Sequence, residues 1–257
     1  MTFEQLAAAC FLLIALLGPF SGAPARRVAV VSLTAFGLAA SVAALTRLLT
    51  VDARAWIGHV YLAAGYWLPA FLVTRSPGAF DAWLWKTEPE AARRLRVRGH
   101  LAELAYLCCY PLVPAAFITV YANGSIADVD RFWTSVLGAG FLCYTSLPWL
   151  VSLPPRILES GADPAGPRRQ TVVRRINLRV LDRFSHGWNT FPSGHVAIAV
   201  AAALSVMSVT PYVGIVFLTV ATGIVVGSVS GRYHYTIDAV AGIVVGVAAY
   251  VGASFST

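Results

Sequence analysis

Apolar residues run along the chain in eight stretches, near 3–21, 28–49, 56–74, 101–120, 132–152, 192–209, 211–229 and 236–254, with polar segments between them. Each comes close to the roughly 20 residues that a helix needs to cross a bilayer. Inside a bilayer the backbone must satisfy its own hydrogen bonds, so such runs are expected as helices. The pattern predicts an all-α, polytopic helical membrane protein with about eight transmembrane helices. Gly223, Gly227, Gly242 and Gly246, on the last two runs, suit close helix contact.

Two polar segments interrupt this pattern at length. Between the third and fourth runs lie Trp83, Trp85, Lys86, Arg93, Arg94, Arg96 and Arg98. Tryptophans beside basic residues suit an interfacial helix, and a solvated positive loop that fixes topology is an equally good reading. The second segment, Leu153 to Thr190, carries seven arginines. Read as a helix, Val172, Ile176, Val180 and Phe184 form one stripe, and Arg175, Arg179 and Arg183 form another beside it. Such a helix would lie on the membrane surface, with its arginines facing lipid phosphates.

Composition removes the soluble alternative that the length would allow. The chain is 58% hydrophobic and 12% charged, with a mean hydropathy of +0.69. Glu4 precedes the first run, which has no basic start and so reads as a retained span rather than a cleaved signal. Cys10, Cys108, Cys109 and Cys143 lie in apolar stretches without metal-ligand spacing and read as buried thiols. The net charge of +7 brings no nucleic-acid motif with it, so nucleic acid is not expected as a partner. Of the nineteen basic residues all but Arg47, Arg54 and Arg131 fall in loops at one end of the eight-span topology. The positive-inside rule puts that end at the cytoplasmic face, here of a bacterial-type plasma membrane, with both termini outside.

Chemistry concentrates in two motifs at the edges of the last runs. They are Phe191-Pro192-Ser193-Gly194-His195 and Gly231-Arg232-Tyr233-His234-Tyr235-Thr236-Ile237-Asp238. The two runs between them are joined by little more than Thr210-Pro211, so a helical hairpin would bring both motifs to the same end. Ser193 and Gly194 at a helix start would offer unpaired N–H groups to an anion, and glycine would let an oxyanion come close. His234 and Asp238, four apart, would share a helix face, with the carboxylate holding one ring nitrogen protonated and leaving the other free to attack. His195 would give a proton to the leaving oxygen. Arg232 would reach a phosphate from the loop as a planar fork. Metal or haem ligation by His195 and His234 fits less well, because the nearby arginines would repel a cation. His59, His100 and His186 read as satisfied polar groups near an interface.

These motifs resemble the type 2 phosphatidic acid phosphatase superfamily, over roughly the last hundred residues. Pro192-Ser193-Gly194-His195 looks like its second motif, and His234 with Asp238 like the end of its third. The resemblance implies a phosphohistidine route without metal or other cofactor, with His234 as nucleophile, Asp238 as its orienter and His195 as general acid. The arginine of the third motif is displaced to Arg232. The first motif is missing around Lys86 and Arg93, which leaves Arg156, in Leu153-Pro154-Pro155-Arg156, as the better candidate for it. The wording Arg-Tyr-His-Tyr-Thr-Ile-Asp is similar to the sphingomyelin and inositol phosphorylceramide synthase branch. Residues 56–257 would then form a six-helix catalytic core and residues 1–55 two accessory helices. The expected activity is metal-independent cleavage of a membrane lipid phosphate. The alternatives are head-group transfer from a phospholipid to a lipid or polyol hydroxyl, and a transporter or scaffold without chemistry.

Overall fold

The computed structural model describes residues 1–74, 76–94, 100–160 and 171–255. Arg96 and Arg98 of the basic segment, and two of the seven arginines of the second segment, lie outside the described residues. Thirteen α-helices follow one another there: α1 (Phe3–Leu17), α2 (Ala25–Leu48), α3 (Val51–Ala70), α4 (Ala79–Thr87), α5 (Glu90–Arg94), α6 (His100–Leu107), α7 (Cys109–Asn123), α8 (Ile126–Tyr144), α9 (Pro155–Ser160), α10 (Val172–Phe184), α11 (Gly194–Val209), α12 (Pro211–Ser230) and α13 (Thr236–Ser254). Among the described residues there is no strand, only a single antiparallel bridge between Ser152 and Asn189.

Each of the eight apolar runs contains a helix, although the helices end at Ala70 and Tyr144, short of the ends of their runs, and the run at 101–120 is broken at Cys108. By length and composition four helices could cross a membrane: α1 with the short turn to Ser21, α2, α12 and α13. They become five if α6 and α7, bent by 51° at their junction, count as one broken span. α1, α3, α8, α10 and α11 each begin after a Ser or Thr whose hydroxyl accepts a first-turn N–H, which gives an otherwise orphaned donor its partner.

α11 is the centre of the bundle, touching α7, α8, α12 and α13. In a bilayer there is little hydrophobic drive between helices, so close packing has to supply the attraction. The glycines provide it. A Cβ on Gly246 of α13 would sit 2.5 Å from the Ala197 carbonyl oxygen of α11. On Gly227 of α12 it would sit 2.5 Å from the Ala102 oxygen of α6. α3 lies flat on α8 because Gly58 leaves room for the Trp133 ring, whose Nε1 donates to the Ala55 carbonyl at 2.7 Å. α1 joins the same apolar core, with Phe11 edge-on to both Tyr61 and Phe141.

The two ends of the bundle differ. At one, Trp149 Nε1 donates to the Phe20 carbonyl and the Leu153 N–H donates to Asp81, gathering the loops. At the other, the Phe3 N–H donates to Asp130 and the Tyr121 hydroxyl to Asp52.

α10 forms where its pattern predicts. Its buried face is Asn177 and Leu181, while Val172, Ile176 and Phe184 stay exposed, as on a helix that rests its apolar stripe on a membrane. It is pinned by a buried carboxylate on α6. Glu103 takes Arg174 Nη1 at 2.6 Å and Asn177 Nδ2 at 2.7 Å.

Candidate active site

His195 lies in the first turn of α11 and His234 in the turn between α12 and α13, with ring centroids 5.8 Å apart. The α11–α12 hairpin turns at Thr210 with no intervening loop, so both motifs return to one end of the bundle. His195 is partly exposed, and His234 is buried at 4% exposure.

His234 and Asp238 meet by a different route from the shared helix face that their spacing suggests. α13 starts only at Thr236, so His234 precedes the helix. Asp238, in the first turn, folds its carboxylate back to accept the Tyr235 N–H at 3.0 Å. This is the reach-back half of a capping box, and it serves a donor that the helix start leaves unpaired. The same Oδ2 stands 3.5 Å from His234 Nδ1 and accepts Asn189 Nδ2 at 2.6 Å. Asp238 is fully buried.

The anion pocket expected at Ser193 and Gly194 is already filled by the protein. The Ser193 N–H donates to the Asp238 carbonyl at 3.1 Å, and the Gly194 N–H donates to the Thr190 hydroxyl at 3.2 Å. What comes close to Gly194 is the Tyr144 ring, 2.5 Å from where a Cβ would stand. These contacts clamp the start of α11 to that of α13 and to the end of α8. They fix the two histidines relative to each other.

Arg232 also sits elsewhere than expected. It adopts φ +60 in the turn after α12, and its guanidinium is buried between Glu88 at 2.7 Å and Glu159 at 2.9 Å. A buried cation must be paired, and two carboxylates from the α4–α5 junction and α9 take it away from the cavity wall. Glu88 also accepts the Thr236 N–H at 2.9 Å, so this group ties the start of α13 to the loops.

Arg156 lines the cavity with the two histidines. Its guanidinium lies 5.2 Å over the Tyr233 ring, and its N–H donates to the Arg232 carbonyl at 3.0 Å. Burial lowers its pKa, but a guanidinium stays charged at any ordinary pH. Lys86 and Arg93 are not on this wall. Arg93 donates to the Trp85 carbonyl and stacks over the Trp85 ring.

Several residues that no motif singled out complete the wall: Tyr66, Tyr106, Tyr144, Trp188, Asn189 and Thr190. Tyr233 stacks face to face on Tyr106 at 3.9 Å, and its hydroxyl donates to Glu103 at 2.6 Å. Tyr106 in turn lies 5.7 Å from the His195 ring. Beside the wall His186 stacks on Tyr66 at 4.4 Å and accepts the Trp188 N–H on Nδ1. The space enclosed is about 20 Å³, the size of a water site. Entry of a phosphate group therefore requires the wall to move. Among the described residues no group of three or more His, Cys, Asp or Glu side chains is placed to hold a metal ion.

A family model of the PAP2 superfamily matches residues 83–252 of the 257. The chain belongs to the PAP2 superfamily. No curated protein and no solved structure matches the chain. Superfamily membership, with the long apolar helices, makes this an integral membrane protein and supports a phosphatase- or phosphotransferase-type function directed at a lipid. The matched region contains His195, His234, Asp238 and Arg156; α1, α2 and α3 lie before it.

Proposed function

We propose that this protein is a lipid phosphate phosphatase working through a phosphohistidine. The observation that carries the reading is the pair of imidazoles 5.8 Å apart, one turned by Nδ1 toward a buried carboxylate, with a cation in the same wall. The Asp238 carboxylate, 3.5 Å from Nδ1, favours the tautomer of His234 with its proton there, which leaves Nε2 with a lone pair. Nε2 attacks phosphorus, the bond from phosphorus to the lipid oxygen breaks, and His195 as imidazolium passes its proton to that oxygen. The products of this step are the free lipid alcohol and phosphorylated His234. Neutral His195 then takes a proton from water as the hydroxyl attacks phosphorus, and orthophosphate leaves while His234 is restored. Arg156 is the group we assign to the phosphoryl oxygens, whose charge must be held in the transition state. The scheme calls on no metal. Residues 56–257 carry the catalysis in this reading, and the charge balance of the loops supports a cytoplasmic active site in a bacterial-type plasma membrane.

The test is phosphate release from a lipid phosphate by the purified protein in the presence of a chelator. The wild type is expected to turn over, and His234→Ala to lose at least about 10³-fold, as when a nucleophile is removed. Undiminished turnover in His234→Ala would remove the mechanism. Adding lipid and polyol hydroxyls as acceptors separates hydrolysis from transfer. Orthophosphate as the main product is the expected result, and a new phosphodiester or phosphoester on the acceptor would identify a phosphotransferase.

A further inference from the structure

A cavity of about 770 Å³ lies at the end of the bundle away from the histidines. Tyr66 and Tyr144, late in α3 and α8, wall the histidine cavity, whereas this one is walled by the first turns of the same two helices, Val51 to Ala55 and Ile126 to Asp130. The rest of its lining comes from the start of α1 and the last turns of α2. Its volume falls within the roughly 300–1,000 Å³ of small-ligand sites. Most of these residues precede the region matched by the family model, so the two N-terminal helices create a space that the common core does not supply.

Three charged side chains share it. Glu4, 7% exposed, pairs with Arg54 at 3.3 Å, and Asp130 accepts the Phe3 N–H at 2.9 Å. Arg54 Nε is enclosed and has no hydrogen-bond partner. Two carboxylates and one guanidinium, with an unused donor, suit a ligand that carries both an anion and a cation. A purely anionic headgroup would meet Glu4 and Asp130 as like charges. A phosphodiester beside a primary ammonium meets each group with its opposite. The apolar part of the wall, with Val42, Val51 and Ile126, suits hydrocarbon. Phe36, two turns before Ala43 on the same face of α2, is exposed and continues that apolar surface.

We infer that this cavity is a non-catalytic site for a bilayer phospholipid with an amine headgroup, which holds α1 and α2 to the core at the face opposite the histidines. Its phosphate meets the partly exposed Arg54 guanidinium, its ammonium lies between Glu4 and Asp130, and a hydrocarbon chain follows α2. The inference does not depend on the reaction proposed above.

The experiment is native mass spectrometry of the full chain in detergent, titrated with phosphatidylethanolamine or with phosphatidylglycerol. A His234→Ala background keeps the lipids from turnover, and a His195→Ala background reports any lipid held at the other cavity. At least tenfold preference for phosphatidylethanolamine is expected, unchanged between the two backgrounds. The joint change Glu4→Gln with Arg54→Met removes both members of the ion pair together, and tenfold weaker retention is expected. Ala43→Trp fills the cavity from lipid-exposed α2 without touching a charge, so it gives the same reading should the first variant fail to fold. Equal or stronger retention of phosphatidylglycerol, or undiminished retention of phosphatidylethanolamine in Ala43→Trp, would overturn the site.

Discussion

Of the two arginines that the sequence offers to a phosphate, only one borders the cavity. Arg232 is adjacent to the histidine loop in sequence, yet it is committed to Glu88 and Glu159; Arg156 arrives from a separate helix and borders the cavity. Their variants should separate accordingly. Arg232→Ala leaves Glu88 buried without its cation, a loss of about 3–5 kcal/mol, and is expected to lower the thermal midpoint in detergent sharply. Arg156→Ala should keep a near-native midpoint and lose lipid phosphatase turnover by roughly 10²-fold or more. A stable Arg232→Ala with unchanged melting would contradict this division. His186 offers a pH test of the same loops. Burial takes its pKa down from 6.5 to about 4, and its Nδ1 accepts the Trp188 N–H, so the folded state holds it neutral. Below pH 6.5 the unfolded chain binds a proton that the folded chain refuses until about pH 4. This contribution to stability is therefore full above pH 6.5 and is lost as pH falls toward 4. Melting between pH 7.5 and 4.5 should fall more steeply for the wild type than for His186→Gln, and parallel curves would refute it.

At the scale of elements, the relation between α11 and α13 decides the site, because His195 lies in the first turn of α11 and His234 just before α13. Gly242 and Gly246 set their separation: a Cβ there would stand 2.8 Å from the Ser193 carbonyl oxygen and 2.5 Å from that of Ala197. Backbone cannot give way as a flexible side chain can. Gly246→Val is expected to cost about 1–3 kcal/mol through overpacking, read as a lower unfolding midpoint in detergent. An unchanged midpoint would mean that the two helices are not held as closely as the contacts require. The glycine pattern that pointed to close helix contact was readable in the sequence. Which helix each glycine faces was not, since α12 puts Gly227 on α6 while α13 puts Gly242 and Gly246 on α11. The capping turn at Asp238 shows a similar limit. A spacing of four names a shared face only inside a helix, and the helix begins after His234.

Over the whole molecule, the bundle has one end where the histidines, α10 and Arg156 gather and another where Glu4, Arg54 and Asp130 meet. If the charge balance sets orientation, a single cysteine at exposed Arg183, in a background without the native cysteines, should react with an impermeant label only when the cytoplasmic side is open. Labelling of intact cells would invert the orientation. The amphipathic stripe of α10 was legible because its period is that of a helix, and the eight apolar runs because hydrocarbon allows them little but helix.

The sequence alone determined where the long apolar helices lie, which end of the α11–α12 hairpin holds both histidines, and that an aspartate accompanies one of them. These follow from local periodicity and from connections too short to lead elsewhere. Tertiary structure decided which arginine borders the cavity, that Asn189 holds Asp238, and that the N–H groups at Ser193 and Gly194 are already donated. Those depend on pairs far apart in the chain, such as Arg232 with Glu88 across 144 positions. A buried charge or donor takes whichever partner packing brings within reach, and no local pattern records that partner.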